Sequence, residues 1–158
     1  MGEIKYIFAD IDGVLTDGCV QIDEDGHERK SICYRDLDAI GIGHGAGIKF
    51  IFVTGENTAM ANRIVKRFKI DDAVMGAKDK GKAFDELVKK LGISPAEVCY
   101  VGDSHRDIPA IQKARLGAAP ADAAPNVKKS ADIVLQCAGG KGVLMELVER
   151  IIDEEKGE

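Results

Sequence analysis

The segment YIFADIDGVLTDG sets Asp10, Asp12 and Asp17 directly after four mostly apolar residues, Tyr6–Ala9. β-Branched and aromatic residues suit a covered strand. The acids are harder to place, because crowded carboxylates repel and cost stability unless a cation or a reaction offsets it. Asp10 and Asp12 are one residue apart, so on a strict strand they share a face. One can attack while the other moves protons. Three later clusters carry matching chemistry: TGEN with Thr54, GAKDKGK with Lys80, and VGDSHRD with Asp103 and Asp107. Acids of the first and last clusters suit a hard cation held through oxygen, the arrangement Mg2+ prefers when it also meets phosphate. A hydroxyl and a lysine would complete a cradle for phosphoryl oxygens.

The elements that must position these groups follow from periodicity. Apolar runs of strand length fall at Tyr6–Ala9, Phe50–Val53, Ala73–Met75, Val98–Val101 and Ile133–Leu135. Between them Met60, Ala61, Ile64, Val65 and Phe68 repeat at helical spacing, as do Ala83, Phe84, Leu87, Val88 and Leu91. Alternating strands and helices imply an α/β fold with a doubly wound parallel sheet, in which ligands gather at the carboxyl ends of the strands. Val143, Leu144, Leu147, Val148, Ile151 and Ile152 predict an amphipathic helix, and DEEKGE a frayed tail. CVQIDEDGHERKSICYR breaks the alternation. Its arms Cys19–Ile22 and Arg29–Tyr34, around turn residues Asp23 to Gly26, predict a β-hairpin insertion over about residues 18–34. Nothing resembling a linker divides residues 1–158, which read as one domain.

The bulk numbers narrow the class. At 158 residues, 45% apolar and 31% charged, the chain is long enough for one substantial core. A net charge of −5 argues against a nucleic-acid partner. The apolar stretches are too short for a membrane span and no leader pattern opens the chain, so a cytoplasmic protein is expected. Cys19, Cys33, Cys99 and Cys137 are widely spaced and read as small buried hydrophobes.

The four motifs, in this order and across nearly the whole chain, resemble the haloacid dehalogenase superfamily of phosphohydrolases. A lone DxD carries little weight; four ordered motifs at consecutive strand ends carry much more. The resemblance implies a Rossmann-like sheet and a role for each residue. Asp10 would be the nucleophile, forming an aspartyl-phosphate. Asp12 would be the general acid for the leaving alkoxide and then the base for water. Thr54 and Lys80 would bind the transferring phosphoryl group. Mg2+ would be held by Asp10, the main-chain carbonyl of Asp12 and Asp103, with Asp107 in support. Asp17 reads better as a turn acid, and His27 and His44 as turn or surface residues. His105 lies beside the expected metal with no assigned role.

Many relatives carry a separate cap domain, which needs more residues than this chain has. A hairpin in its place, with RDLDAIGI and GGKGVLMELVERII, resembles the subfamily that dephosphorylates 3-deoxy-2-ulosonic acid phosphates. That subfamily includes the 3-deoxy-D-manno-octulosonate 8-phosphate phosphatases. The resemblance implies a homotetramer in which a neighbouring subunit covers the site and keeps bulk water from the phosphoenzyme. Three departures bear on the sugar. Glu56, in Thr54-Gly55-Glu56, stands where the octulosonate enzymes usually have arginine, and is similar to relatives acting on nine-carbon 9-phosphates. Met145 stands where the family tail has arginine, and Ser104 and Arg106 replace more frequent residues of the metal loop. The substrate candidates are therefore Thr54, Gly55, Glu56 and Lys80, with Arg63, Lys66 and Arg67 on the following helix and Lys141 in the tail. The helix cations equally suit a solvated face, and Glu56 a helix-start charge. A broad-specificity sugar phosphatase is one alternative. A structural module akin to domains fused to sugar-nucleotide synthetases is another, against which the intact motifs argue.

Overall fold

Tyr6–Ala9 forms β1, the strand on which the rest of the fold is built, and Ile7, Phe8 and Ala9 are wholly buried. A computed structural model describes residues 3–157; Met1, Gly2 and Glu158, part of the expected span of 1–158, lie outside the described residues. After β1 come β2 (Gln21–Ile22), β3 (Glu28–Arg29), α1 (Tyr34–Gly45), β4 (Lys49–Val53), α2 (Ala59–Phe68), β5 (Asp72–Val74) and α3 (Lys80–Leu91). The second half adds β6 (Val98–Val101), α4 (Ile108–Lys113), β7 (Leu116–Ala119), α5 (Pro125–Ser130), β8 (Ile133–Val134) and α6 (Val143–Gly157). Six strands make one parallel sheet in the order β5-β4-β1-β6-β7-β8, and β2 and β3 pair separately. This is the Rossmann-like α/β fold that the sequence predicts.

Alternation along the strands divides the core into two layers. Ile7, Ala9, Phe50, Phe52, Cys99 and Val101 pack against α1, α2 and α6. Phe8, Ile51, Val53, Val98 and Tyr100 face α3, α4 and α5. Each large apolar side chain so covered contributes about 1.5–3 kcal/mol. The register also sets the site. Ala9 lies opposite both Phe52 and Val101, so β1, β4 and β6 end at one edge, and Asp10, Thr54 and Asp103 follow there.

Several elements differ from expectation. The hairpin arms shrink to two residues each, because their side chains are exposed and no layer covers them. Tyr34, expected to end the second arm, opens α1. That helix escapes the sequence because three glycines dilute its pattern. Gly43 is there by necessity: a Cβ would collide with the Phe50 ring. β7 is equally hidden, since LGAA carries too little apolar bulk to read as a strand, although Gly117, Ala118 and Ala119 are fully covered. The expected tail is helical through Gly157. Only Cys99 of the four cysteines is buried; Cys19 is exposed, and Cys33 and Cys137 are partly covered.

Candidate active site

The parallel backbone holds each acid before any side chain acts. The Asp10 amide donates to the Val101 carbonyl (3.1 Å) and the Thr54 amide to Val74 (2.9 Å), tying both strand ends to their neighbours. Asp10 Oδ1 accepts from the Ile11 amide at 2.8 Å and pairs with Lys80 Nζ at 3.2 Å, which fixes the carboxylate plane. Lys80 enters from the start of α3, where the Asp79 side chain caps the helix by accepting from the Lys82 amide. Its side chain is 3% exposed, and the ammonium also reaches Asp107 Oδ1 (3.0 Å) and the Val53 carbonyl (3.1 Å).

Asp107 organises the floor. Its Oδ1 takes Lys80 and the Tyr100 hydroxyl (2.7 Å), while Oδ2 accepts the amides of Asp103 (3.1 Å) and Ser104 (3.2 Å) and the Ser104 hydroxyl. Burial opposes its charge, yet Lys80, Tyr100 and the loop amides hold it below the usual carboxylate range. Asp10 goes the other way: burial, then the charge of Asp107, push it well up. Burial and Asp107 likewise push Asp103 up to about 6. Burial alone would lower the Lys80 ammonium, but Asp10 and Asp107 outweigh it and raise it. Carboxyl oxygens of Asp10, Asp103 and Asp107 lie within 4.8 Å of one another, with the first and last buried. Such a set fits a hard divalent cation, whose charge would relieve the strain on Asp10 and Asp103. Because Asp107 is already saturated, its part is to hold Lys80 and the Asp103 loop in place.

Above the floor, a cavity of about 280 Å³ is lined by Asp10, Asp12, Thr54, Gly55, Glu56 and Lys80 together with Gly18, Lys78, Asp103, Ser104 and Arg106. Asp12 accepts from the Thr16 hydroxyl (3.2 Å) and from Lys30 Nζ (2.9 Å), which also lies 3.7 Å from Glu56. Lys30 rides on the segment just after β3, so the hairpin delivers a cation onto Asp12. Gly13, at φ +83°, lets that loop pass where a Cβ would collide with the Asp103 carboxylate.

A family model described as haloacid dehalogenase-like hydrolase matches residues 34–115. The 3-deoxy-D-manno-octulosonate 8-phosphate phosphatase of Escherichia coli K12 is 33% identical over 161 residues, covering 98% of this chain and 86% of that one. The chain is a haloacid dehalogenase-like hydrolase. Two solved structures place this hydrolase further. The Moraxella catarrhalis 3-deoxy-D-manno-octulosonate 8-phosphate phosphatase, in complex with magnesium ion, phosphate ion and a KDO molecule, is 30% identical. Its TM-score is 0.89, with 95% of this chain and 86% of that one covered. The cobalt-bound Haemophilus influenzae enzyme is 32% identical with a TM-score of 0.91, covering 98% and 90%. This hydrolase is a phosphatase, and phosphatases of its family use Mg2+.

Within one copy of the hydrolase, Asp10, Asp12, Thr54, Gly55, Glu56, Lys80 and Asp103 line one cavity, with Asp107 beneath them. Arg63, Arg67 and Lys141 do not line it. Arg67 instead borders a groove with Ile32, Tyr34 and Leu37. Helical spacing turns it to that side. Asp17 accepts from the Cys19 amide (2.8 Å) as a turn acid, His27 pairs with Asp23, and His44 with Asp71 at the surface. Sequence reasoning missed Lys30, Lys78 and Tyr100 as site residues and gave Arg106 no role. Tyr100 reads as ordinary strand filling, and only its hydroxyl, aimed at an acid seven residues on, marks it.

Proposed function

We propose that the chain is a Mg2+-dependent phosphatase of a 3-deoxy-2-ulosonic acid phosphate with eight or nine carbons, acting through an aspartyl-phosphate. The observation that carries this is the buried Asp10–Lys80–Asp107 group, joined at 3.0 and 3.2 Å and opening into a cavity that Asp12 and Thr54 also line. The relatives' activities support the sugar.

Asp10 attacks phosphorus as the bond to the sugar oxygen breaks, and the departing alkoxide takes a proton from the Asp12 carboxyl. Asp12, now a carboxylate, takes a proton from water as that water's oxygen attacks the same phosphorus. Inorganic phosphate leaves and Asp10 is restored. Lys80 and the Thr54 hydroxyl hold the phosphoryl oxygens throughout. Asp10, Asp103 and the Asp12 carbonyl would hold Mg2+, which supplies the charge that lets an anionic carboxylate approach an anionic phosphate. Asp107 positions Lys80.

Turnover of a panel of ulosonic acid phosphates and common sugar phosphates with Mg2+ tests the substrate. A preference for the eight- or nine-carbon acids is expected; equal rates across the panel would favour the broad-specificity reading. Asp10→Asn should lower kcat roughly a thousand-fold or more on every substrate, and wild-type turnover would sink the mechanism. Glu56→Ala should lower kcat/KM about ten- to hundred-fold for the sugar acid while sparing a small aryl phosphate.

The same proposal includes a cytoplasmic homotetramer. The hairpin exposes Val20 and Ile22, and Tyr34, 76% exposed, lines a groove with Ile32 and Leu37. Apolar surface gathered in this way suits contact between copies, and such a contact is the route by which Lys141 or Arg67 would reach a neighbour's site. No helix among the described residues is long and apolar enough to cross a membrane. A fully active monomer by light scattering at micromolar concentration would refute the assembly.

A further inference from the structure

We infer that Lys78 and Arg106 form an anion-recognition wall that selects phosphomonoesters whose leaving group carries a carboxylate, a proposal resting on the phosphatase reading of the same cavity. The charges lining the cavity divide into those with partners and those without. Lys80 is shared between Asp10 and Asp107, and Lys30 between Asp12 and Glu56. Asp10 and Asp103 belong to the cation-binding group. Lys78 and Arg106 remain. Among the described residues neither side chain makes an ion pair or a hydrogen bond.

Both cations converge on one place. A Cβ built on Gly55 would lie 3.8 Å from an Arg106 guanidinium nitrogen and 3.9 Å from Lys78 Nζ. The absent side chain at residue 55 leaves that space open to the cavity, immediately after Thr54. Two like charges beside one point disfavour each other until an anion enters between them. Because both side chains are exposed, solvent screens the cost in the free enzyme. An entering carboxylate gains a planar guanidinium fork and an ammonium together, the strong form of hydrogen bond. The group around Asp12 differs in kind: a single ammonium, Lys30, is shared there by two carboxylates, Asp12 and Glu56, so that side keeps a surplus of negative charge, accepts hydrogen bonds from hydroxyls and disfavours an anion. The cavity is therefore polarised, with the anion side at Gly55 and the hydroxyl side at Glu56.

The test uses matched pairs that differ only by a carboxylate in place of a hydroxymethyl group: D-3-phosphoglycerate against glycerol 3-phosphate, and 6-phosphogluconate against glucitol 6-phosphate. Each compound is read as a substrate with Mg2+ or, where turnover is slow, as a competitive inhibitor of aryl phosphate hydrolysis. The wild type should prefer the carboxylated member of at least one pair by roughly ten-fold or more. In the Lys78→Gln/Arg106→Gln double variant that preference should collapse, with the larger loss falling on the carboxylated member. Lys78→Arg should keep it, and added salt should erode it. No preference at either length in the wild type, or equal losses on both members in the double variant, would overturn the proposal. Aryl phosphate hydrolysis reports the phosphatase reading separately, and thermal denaturation shows whether the variants remain folded.

Discussion

Asp107 beneath the active site and Asp36 at the junction of α1 and α6 are both fully buried, yet their surroundings drive their ionisation in opposite directions. Asp107 meets an ammonium, a phenol, two amides and a hydroxyl, and is held below the usual range. Asp36 caps another helix. Its Oδ1 accepts the Leu144 and Met145 amides at 2.9 and 3.3 Å, while Oδ2 has no hydrogen-bond partner among the described residues. Burial outweighs those amides and pushes Asp36 from 3.8 up to about 6. Depth in the core does not decide charge; the number and sign of partners do. The floor of the cavity fixes a charge, and the helix junction tolerates a carboxyl that gains a proton in mild acid.

Removing the better-satisfied acid should hurt most. Asp107→Ala leaves Lys80 buried with Asp10 as its one ionic partner among the described residues and strips the Tyr100 hydroxyl of its acceptor. We expect a loss of about 3–5 kcal/mol in urea denaturation, with kcat falling alike on sugar and aryl phosphates. A variant as stable as the wild type would erase the contrast.

Asp36 should reveal itself through pH. Below about 3.8 both folded and unfolded chains hold its proton. Between about 3.8 and 6 the folded chain keeps the proton and the unfolded chain releases it, so this group's contribution falls as pH rises through that window. The fall is on the order of 3 kcal/mol in total and flat above it. Asp107 has the opposite sign, its contribution being present at neutral pH and lost as pH drops through its lowered folded value. Asp36→Asn should therefore abolish one slope and leave the other. Denaturation curves from pH 4 to 7 for the two proteins, both with Mg2+ to quiet Asp103, give the difference directly; parallel curves would contradict the assignment.

Tyr100→Phe deletes one donor to Asp107 and keeps the ring packing. It should cost about 1.5–3 kcal/mol, as for a hydrogen bond to a charged group, and weaken Lys80's hold on phosphate, read as a lower kcat. The smallest effect is expected at the rim. Lys30→Met frees Asp12 and Glu56 from the hairpin and should lower kcat/KM roughly ten-fold, with partial rescue by Lys30→Arg. A loss confined to stability would make Lys30 a strap and no more.

What the sequence showed and what it hid follow the same physical line. Asp10, Asp12, Thr54, Lys80 and Asp103 were legible because each follows or opens a periodic element and has a type that chemistry needs. Parallel pairing of the strands followed from alternation, while their spatial order did not. Asp36 was illegible as a cap, since the amides that it serves lie more than a hundred residues away. Lys30 was hidden by a hairpin whose arms have no core pattern, and Lys78 by a glycine-and-lysine run that reads as solvated. Helix phase turns Arg67 to a groove with Ile32, Tyr34 and Leu37, a placement that charge alone does not give.

The Gly139–Gly140 turn ahead of α6 has a consequence for the chain as it is made. The Gly140 amide donates to the Val14 carbonyl, and a Cβ on either glycine would strike the backbone of the loop that follows Asp12, so this late turn lies flush against that loop. Asp36, from α1, then fastens the first turn of α6 behind it. On a ribosome Asp10 and Asp12 emerge more than a hundred residues before the turn that braces the loop after them, a pairing of distant segments that forms slowly. A nascent chain halted before residue 139 would carry Asp10 and Asp12 ahead of an unbraced loop, so hydrolytic competence should not arrive until that turn has been made.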